Sequence, residues 1–299
     1  MKLENETIRL DVEEPGEGYV GSRFDWTGKI TQITFQGRHT FCTEEMTDPA
    51  SLHRGGRGLF NEFGIDGPIG YQECPVGDVF LKLGVGLLTR VSDEPYDFFL
   101  PYPVAPGVTR WELDERSVSF EFRCATPRGH AIELHKDIVL DGSGFSIDYA
   151  LTNRGATTLK TNEYVHNFLA IDGEPLGPGY RLTCSFPVST AGFAESLNPG
   201  NVRFSRGDRV LWSQAADSPF FFGGLHPVTE KTVRWCLEHT RRRVAIRESA
   251  RFVVKQFNLW GAGHVVSPEL YKSIEIPAGG TGRWSRSYQI EPAASPDTP

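Results

Sequence analysis

Two side chains of this sequence suit proton transfer. His166 lies in Asn162-Glu-Tyr-Val-His-Asn-Phe-Leu-Ala-Ile-Asp172, after a long alternating run and among apolar and aromatic neighbours. Glu269 lies in Val265-Val-Ser-Pro-Glu-Leu-Tyr271, an otherwise apolar segment near the C-terminus. An imidazole titrates near neutrality, and a carboxyl in an apolar pocket is pushed up toward the same range. General acid–base catalysis uses such a pair. The two segments are therefore expected to meet in space, one side chain acting as acid and the other as base. Taken alone, a lone histidine in such a segment more often completes a core than catalyses. Glu269 could equally bond local backbone amides.

Weaker candidates surround this pair. Residues 42–78 are broken by glycines and prolines and carry Phe60, Phe63, Ile65 and Tyr71, which suggests a packed loop bordering a site. Asn61 and Glu62 sit inside it, where ligand contacts concentrate, although loop structure explains them as well. Arg57 is a cation of the same loop. Lys82 and Arg90 are cations flanking an apolar strand, and exposed strand ends explain them better than ligand contacts do. Trp260 and Phe257 could stack on a ring or pack in a core. Arg241-Arg-Arg243, with Arg247 and Arg251, is either a solvated hairpin or a phosphate site, since arginine matches phosphate bidentately. Asn162, Glu163 and Asp172 could be turn formers.

Other chemistries find no footing. There is no Gly-x-Ser-x-Gly, no phosphate-binding glycine loop with Lys-Ser/Thr, and no dinucleotide fingerprint. The eight histidines show no His-x-x-x-His or His-x-His spacing, and no Cys-x-x-Cys exists. Five scattered cysteines read as reduced thiols rather than a disulfide framework. No metal and no cofactor is expected.

The elements that position these groups read as strands. Residues 7–12 and 19–41 look like opening strands. Short alternating runs follow at 110–114, 117–123, 130–140 and 145–153, the last two separated by the turn Asp141-Gly-Ser-Gly. Further strands are expected at 180–186, 209–212, 220–225, 232–238, 251–259, 271–276 and 282–290. No stretch keeps a 3.6-residue period for even a dozen residues. Many short strands with frequent turns predict an all-β protein, a large antiparallel β-sandwich. No linker or repeat divides it, so residues 1–290 are expected to form a single domain, with 291–299 a disordered tail.

The 299-residue chain is 39% hydrophobic, enough for a sizeable core. Its net charge of −7 gives no general attraction to nucleic acid or anionic membrane, so neither is an expected partner. No apolar run reaches the roughly 20 residues that span a bilayer. The first residues lack a signal peptide's apolar centre, and a cytoplasmic protein is expected. Oligomeric state is not legible.

At these residues the chain resembles the aldose 1-epimerase (galactose mutarotase-like) family, near its hexose-phosphate mutarotase branch. Gly21-Ser-Arg-Phe-Asp-Trp-Thr-Gly28 is similar to an early strand motif of that superfamily, and Leu134 to Asn153 to its hairpin ending in Asn-Arg-Gly. Thr161 to Leu169 resembles the segment with the catalytic histidine. Ser267-Pro-Glu269, Pro277-Ala-Gly-Gly and Trp284 resemble the segment with the catalytic glutamate. The resemblance implies a galactose mutarotase-type sandwich and an isomerase acting on a small-molecule sugar. Glu269 would take the anomeric proton while His166 protonates the ring oxygen. It implies sugar contacts at Arg57, Asn61, Glu62, Lys82, Trp260 and, as the second acidic contact, Asp208. One departure stands out: the family's loop offers Asn-Arg, and here Asn61 precedes Glu62. The alternatives are a carbohydrate-binding protein without turnover, or a lyase or hydrolase using the same cleft.

Overall fold

This computed structural model describes residues 1–49, 51, 55–227 and 232–293. Strands and turns make up the described residues, with three single-turn 3-10 segments and no α-helix. Among the described residues no helix is long and apolar enough to cross a membrane. Two ten-stranded antiparallel sheets pack face to face, and a three-stranded sheet (Val79–Lys82, Gly86–Thr89, Val104–Pro106) stands beside them. At the centre of the first sheet lie Leu59–Phe63, Leu159–Asn167, Val265–Ile276 and Gln256–Ala262, in that order. At the centre of the second lie Val244–Ala250, Thr281–Pro292, Gly144–Asn153 and Ala131–Asp141.

The second sheet follows period-two logic closely. Along Ala131–Asp141, Ile132, Leu134, Ile138 and Leu140 are buried, and their neighbours turn outward. The first sheet departs from it. Leu59–Phe63 is buried at every position, because the second sheet covers one face and loops cover the other. The expected long loop of 42–78 therefore contains a central strand. Glu291 and Pro292 extend the last strand, two residues into the stretch expected as tail, and 294–299 lies outside the described residues.

The interior between the sheets is not wholly apolar. Lys136 is fully buried and reaches Asp25, with Asn61 Oδ1 accepting at 3.0 Å. Asn61 also accepts from Tyr149 (2.8 Å) and donates to Glu163 (2.5 Å). Glu163 and Glu248 both accept from Arg286, all three fully buried. Buried charges persist only when paired and hydrogen-bonded, and this chain of contacts meets that condition across the sandwich.

Candidate functional site

The site forms where a ladder opens. Strands Leu159–Asn167 and Val265–Ile276 pair from Leu159↔Ile276 to Glu163↔Lys272. Pairing then lapses and returns at the isolated bridge Leu169↔Val266. In the gap the first strand continues beside Leu59–Phe63 and the second beside Gln256–Ala262. Continuing the interrupted register sets His166 opposite Glu269. Alternation sends Tyr164, His166 and Phe168 to one face, with Ser267, Glu269 and Tyr271 across from them. Glu163 and Asn167 point the other way, into the interior network.

His166 Nε2 and Glu269 Oε1 are 3.4 Å apart, both nearly buried, in the wall of a cleft of about 710 Å³. Ser267 Oγ donates to one carboxyl oxygen (3.0 Å) and Tyr271 Oη to the other (3.1 Å). Ser267 Oγ itself accepts from the Asn167 backbone N–H (2.9 Å), which ties the two strands together at the gap. Burial raises the Glu269 carboxyl to about 8, with the Ser267 and Tyr271 hydroxyls opposing the rise. Burial, aided by the Arg23 charge, holds His166 well below the ordinary imidazole value. Near neutral pH these shifts favour a protonated Glu269 facing a neutral His166. The imidazole ring stacks on Phe168 at 4.0 Å and meets the Trp260 edge at 5.3 Å. Gly56 lies against Phe168 so closely that a Cβ there would stand 2.1 Å from the ring. Any side chain at Gly56 would displace the ring that supports His166.

Arg23 crosses the floor beside this pair. Its Nε donates to Glu62 (2.8 Å), one terminal nitrogen to Glu45 (3.1 Å) and the other to Tyr164 Oη (3.4 Å). Tyr164 Oη in turn donates to Glu62 (2.7 Å), and Phe98 covers the guanidinium at 4.4 Å. Lys82 Nζ stands 3.5 Å from Glu62, and burial lowers its amine to about 8. Lys255, Lys272, Asp66, Glu195, Asn162, Gln256 and Asn258 edge the opening, so the cleft carries both signs of charge.

The structure brings His166, Glu269 and Trp260 together in this cleft. The other expected contacts fall elsewhere. Asn61 faces the interior, because it is out of phase with Phe60 and Glu62 on its strand. Glu62 and Lys82 lie beneath the floor, behind Arg23, and are buried. Arg57 pairs with Glu44 (3.2 Å) at the surface and does not line the cleft. Asp208 sits on a turn beside Arg209, in a separate recess with Cys184 and Arg234. Arg241–Arg243 form the turn between Arg234–His239 and Val244–Ala250 in the other sheet, where Arg242 pairs with Glu174.

Sequence reasoning did not single out Arg23, Glu45, Tyr164 or Tyr271. Tyr164 and Tyr271 each lie two residues from a proposed catalytic group, so strand alternation alone places them on its face. Arg23 stood inside the quoted Gly21–Gly28 motif, between glycines and aromatics. As for metals, the one gathering of three ligand-type side chains among the described residues is Glu121, Glu133 and His135, outside the cleft, where Arg123 and Arg154 already engage it.

No family model matches this sequence, and no curated protein does. Solved structures do. A galactose mutarotase related enzyme from Lactobacillus acidophilus superposes with a TM-score of 0.61 over 98% of this chain and 98% of that one, at 10% identity. A galactose mutarotase-like protein from Lactobacillus casei gives 0.59 over 97% and 99%, at 13% identity. A GalM/aldose epimerase homologue from C. elegans gives 0.56 over 98% and 99%, at 9% identity. The chain has the galactose mutarotase-like fold over nearly all of its length.

Proposed function

We propose that this chain is an aldose 1-epimerase-like isomerase that interconverts the anomers of a free sugar. The reading is carried by one observation: an imidazole nitrogen and a carboxyl oxygen 3.4 Å apart where the sheet opens into a sugar-sized cleft. Over the working range the pair holds one titrating proton. Burial favours it on Glu269, and its transfer to His166 Nε2 creates a carboxylate base and an imidazolium acid. Glu269 then takes the proton of the anomeric hydroxyl. His166 protonates the ring oxygen as the C1–O5 bond breaks, giving the open-chain aldehyde. Rotation about C1–C2 and the reverse transfers close the ring on the other face. No group is transferred and no electrons leave the sugar. Trp260 and Phe98 supply apolar faces against which a pyranose ring can lie.

The direct test is anomer exchange by NMR, measured over the uncatalysed rate across a panel of free and phosphorylated aldoses. Exchange above the blank supports the proposal. Saturable binding with exchange at the blank rate marks a carbohydrate-binding protein instead. Neutral hexoses should turn over faster than hexose 6-phosphates. Among the described residues Arg23 is the one arginine lining the cleft, and Glu62 and Glu45 already hold it. A clearly faster hexose 6-phosphate would overturn that preference.

The pH profile follows from the shared proton. Above about 8 the pair loses its last proton and no acid remains, so kcat/KM falls. Below that, one proton stays on the pair until His166 also protonates, well under its ordinary value. The plateau should therefore extend to the acid side of about 6.5 and end near 8. A blank-corrected rate that climbs unbroken through pH 8 would contradict the assignment.

A further inference from the structure

One edge of the second sheet carries the marks of a pairing surface. The strand Val108–Leu113 is the last strand there, and among the described residues it pairs only with Ser117–Ala125. At the hairpin, Asp114 N–H donates inward to Ser117 (2.8 Å), while Gly107 N–H points the other way, to Val85 (3.0 Å). Backbone groups of an antiparallel strand alternate in direction. Thr109, Trp111 and Leu113 share the phase of Gly107, so their N–H and C=O groups point out from the edge, with no backbone partner among the described residues.

The side chains at this edge are unusual for a free one. Trp111 and Leu113 lie on the same face as their buried cross-strand neighbours Phe120 and Val118, yet are 40% and 51% exposed. Arg110 and Glu112 occupy the outer face. The neighbour of Arg110 is Glu121, which Arg123 already engages. Neither Arg110 nor Glu112 has an ion-pair partner among the described residues.

We propose that a second copy of this chain pairs antiparallel along this edge, with a two-fold axis at Trp111, joining two sheets into one continuous sheet. This register uses every outward backbone group: Trp111 pairs with Trp111 of the second copy, and Thr109 with its Leu113. It also sets Arg110 directly against Glu112 of the second copy, twice, in the non-hydrogen-bonded positions where Cα atoms come within about 4.5 Å. Neighbouring registers fail. An axis at Arg110 opposes Arg110 to itself, one at Glu112 opposes Glu112 to itself, and one at Leu113 opposes Glu112 to Asp114, so each sets like charges face to face. An axis at Thr109 needs the Gly107 N–H, which Val85 already holds. Such self-complementary patches are what two-fold dimers require, and the pairing covers an apolar edge that otherwise invites uncontrolled association. Six residues a side bury less than the roughly 1,600 Å² of a standard interface, so the dimer is weak and depends on concentration.

Sedimentation velocity of the full chain over about a hundredfold range of concentration should show a reversible monomer–dimer equilibrium. Arg110→Glu opposes Glu to Glu at both contacts, and Glu112→Arg opposes Arg to Arg. Each should weaken dimerisation about tenfold or more, since every directly opposed pair changes sign. An equimolar mixture of the two variants should dimerise like wild type, because each Glu then meets an Arg. The chain carrying both R110E and E112R should also recover. Circular dichroism matching wild type confirms that these exposed positions leave the fold intact. A wild type that stays monomeric throughout the range overturns the proposal. So do single variants that dimerise as wild type, or a mixture that remains monomeric.

Discussion

His166→Asn and Glu269→Gln should each lower kcat for anomer exchange by about 10²-fold or more, and the double variant should be little worse than the poorer single one. The magnitude is that of losing one positioned proton donor or acceptor. Non-additivity follows from the chemistry: opening the ring needs a proton taken at one oxygen and given at the other. Once either partner is gone, the survivor has nothing to exchange with, as in groups that act as a unit. Both substitutions keep size and polarity. Asn at 166 still faces the Glu269 carboxyl, and Gln at 269 keeps both partners by accepting at its carbonyl oxygen from one of the Ser267 and Tyr271 hydroxyls and donating its amide N–H to the other. Sugar affinity and melting temperature should therefore change little. If His166 served only the core, His166→Asn would lower the melting temperature while rate per folded molecule stayed near normal. Melting and exchange measured on one preparation separate these outcomes. A stable Glu269→Gln protein with undiminished exchange would end the acid–base mechanism.

The pairing of these two residues was legible because each sits in a distinctive segment, and the resemblance supplied their order. The sandwich was legible where one strand face meets core and the other meets solvent, as along Ala131–Asp141. Legibility failed where that contrast disappears. Leu59–Phe63 is covered on both faces, so its Leu-Phe-Asn-Glu-Phe shows no apolar–polar alternation and read as loop. Its phase was hidden for the same reason, and Asn61 was assigned to the ligand although it serves the interior. Val244–Ala250 went unread because Glu248 occupies a core-facing position beside Val244 and Ile246, and its partner Arg286 is 38 residues away. Arg23 reaches the cleft only because the fold brings its loop to Tyr164, 141 residues on. Sequence spacing carries no trace of such contacts. Charged residues inside this protein were thus its least readable feature, and they make one of its sharpest stability predictions.

Arg286→Met should cost about 3–5 kcal/mol of stability, the scale for removing one partner of a buried ion pair. Arg286 is fully buried and donates to Glu163 at 3.1 and 2.7 Å, to Glu248 at 2.5 Å and to the Leu270 carbonyl at 2.9 Å. Methionine fills much of the stem's volume but leaves two interior carboxyls without their common cation. Burial already raises the Glu248 carboxyl, and the Arg286 charge is the first influence opposing that rise. Without it, the folded-state value climbs further above the unfolded one. A carboxyl raised in the folded state binds more protons there, so its contribution is most favourable below the unfolded value, near 4.5, and declines as pH rises. The deficit of Arg286→Met should therefore be larger at about pH 8 than at about pH 5. Adding Glu163→Gln and Glu248→Gln removes the unpaired charges, and that triple variant should melt above Arg286→Met alone. Exchange should suffer too, because Glu163 anchors the strand three residues before His166. Thermal melts of wild type, single and triple variants at the two pH values check each step. An Arg286→Met protein that melts with wild type at both would show that the buried charge chain does not hold the two sheets in place.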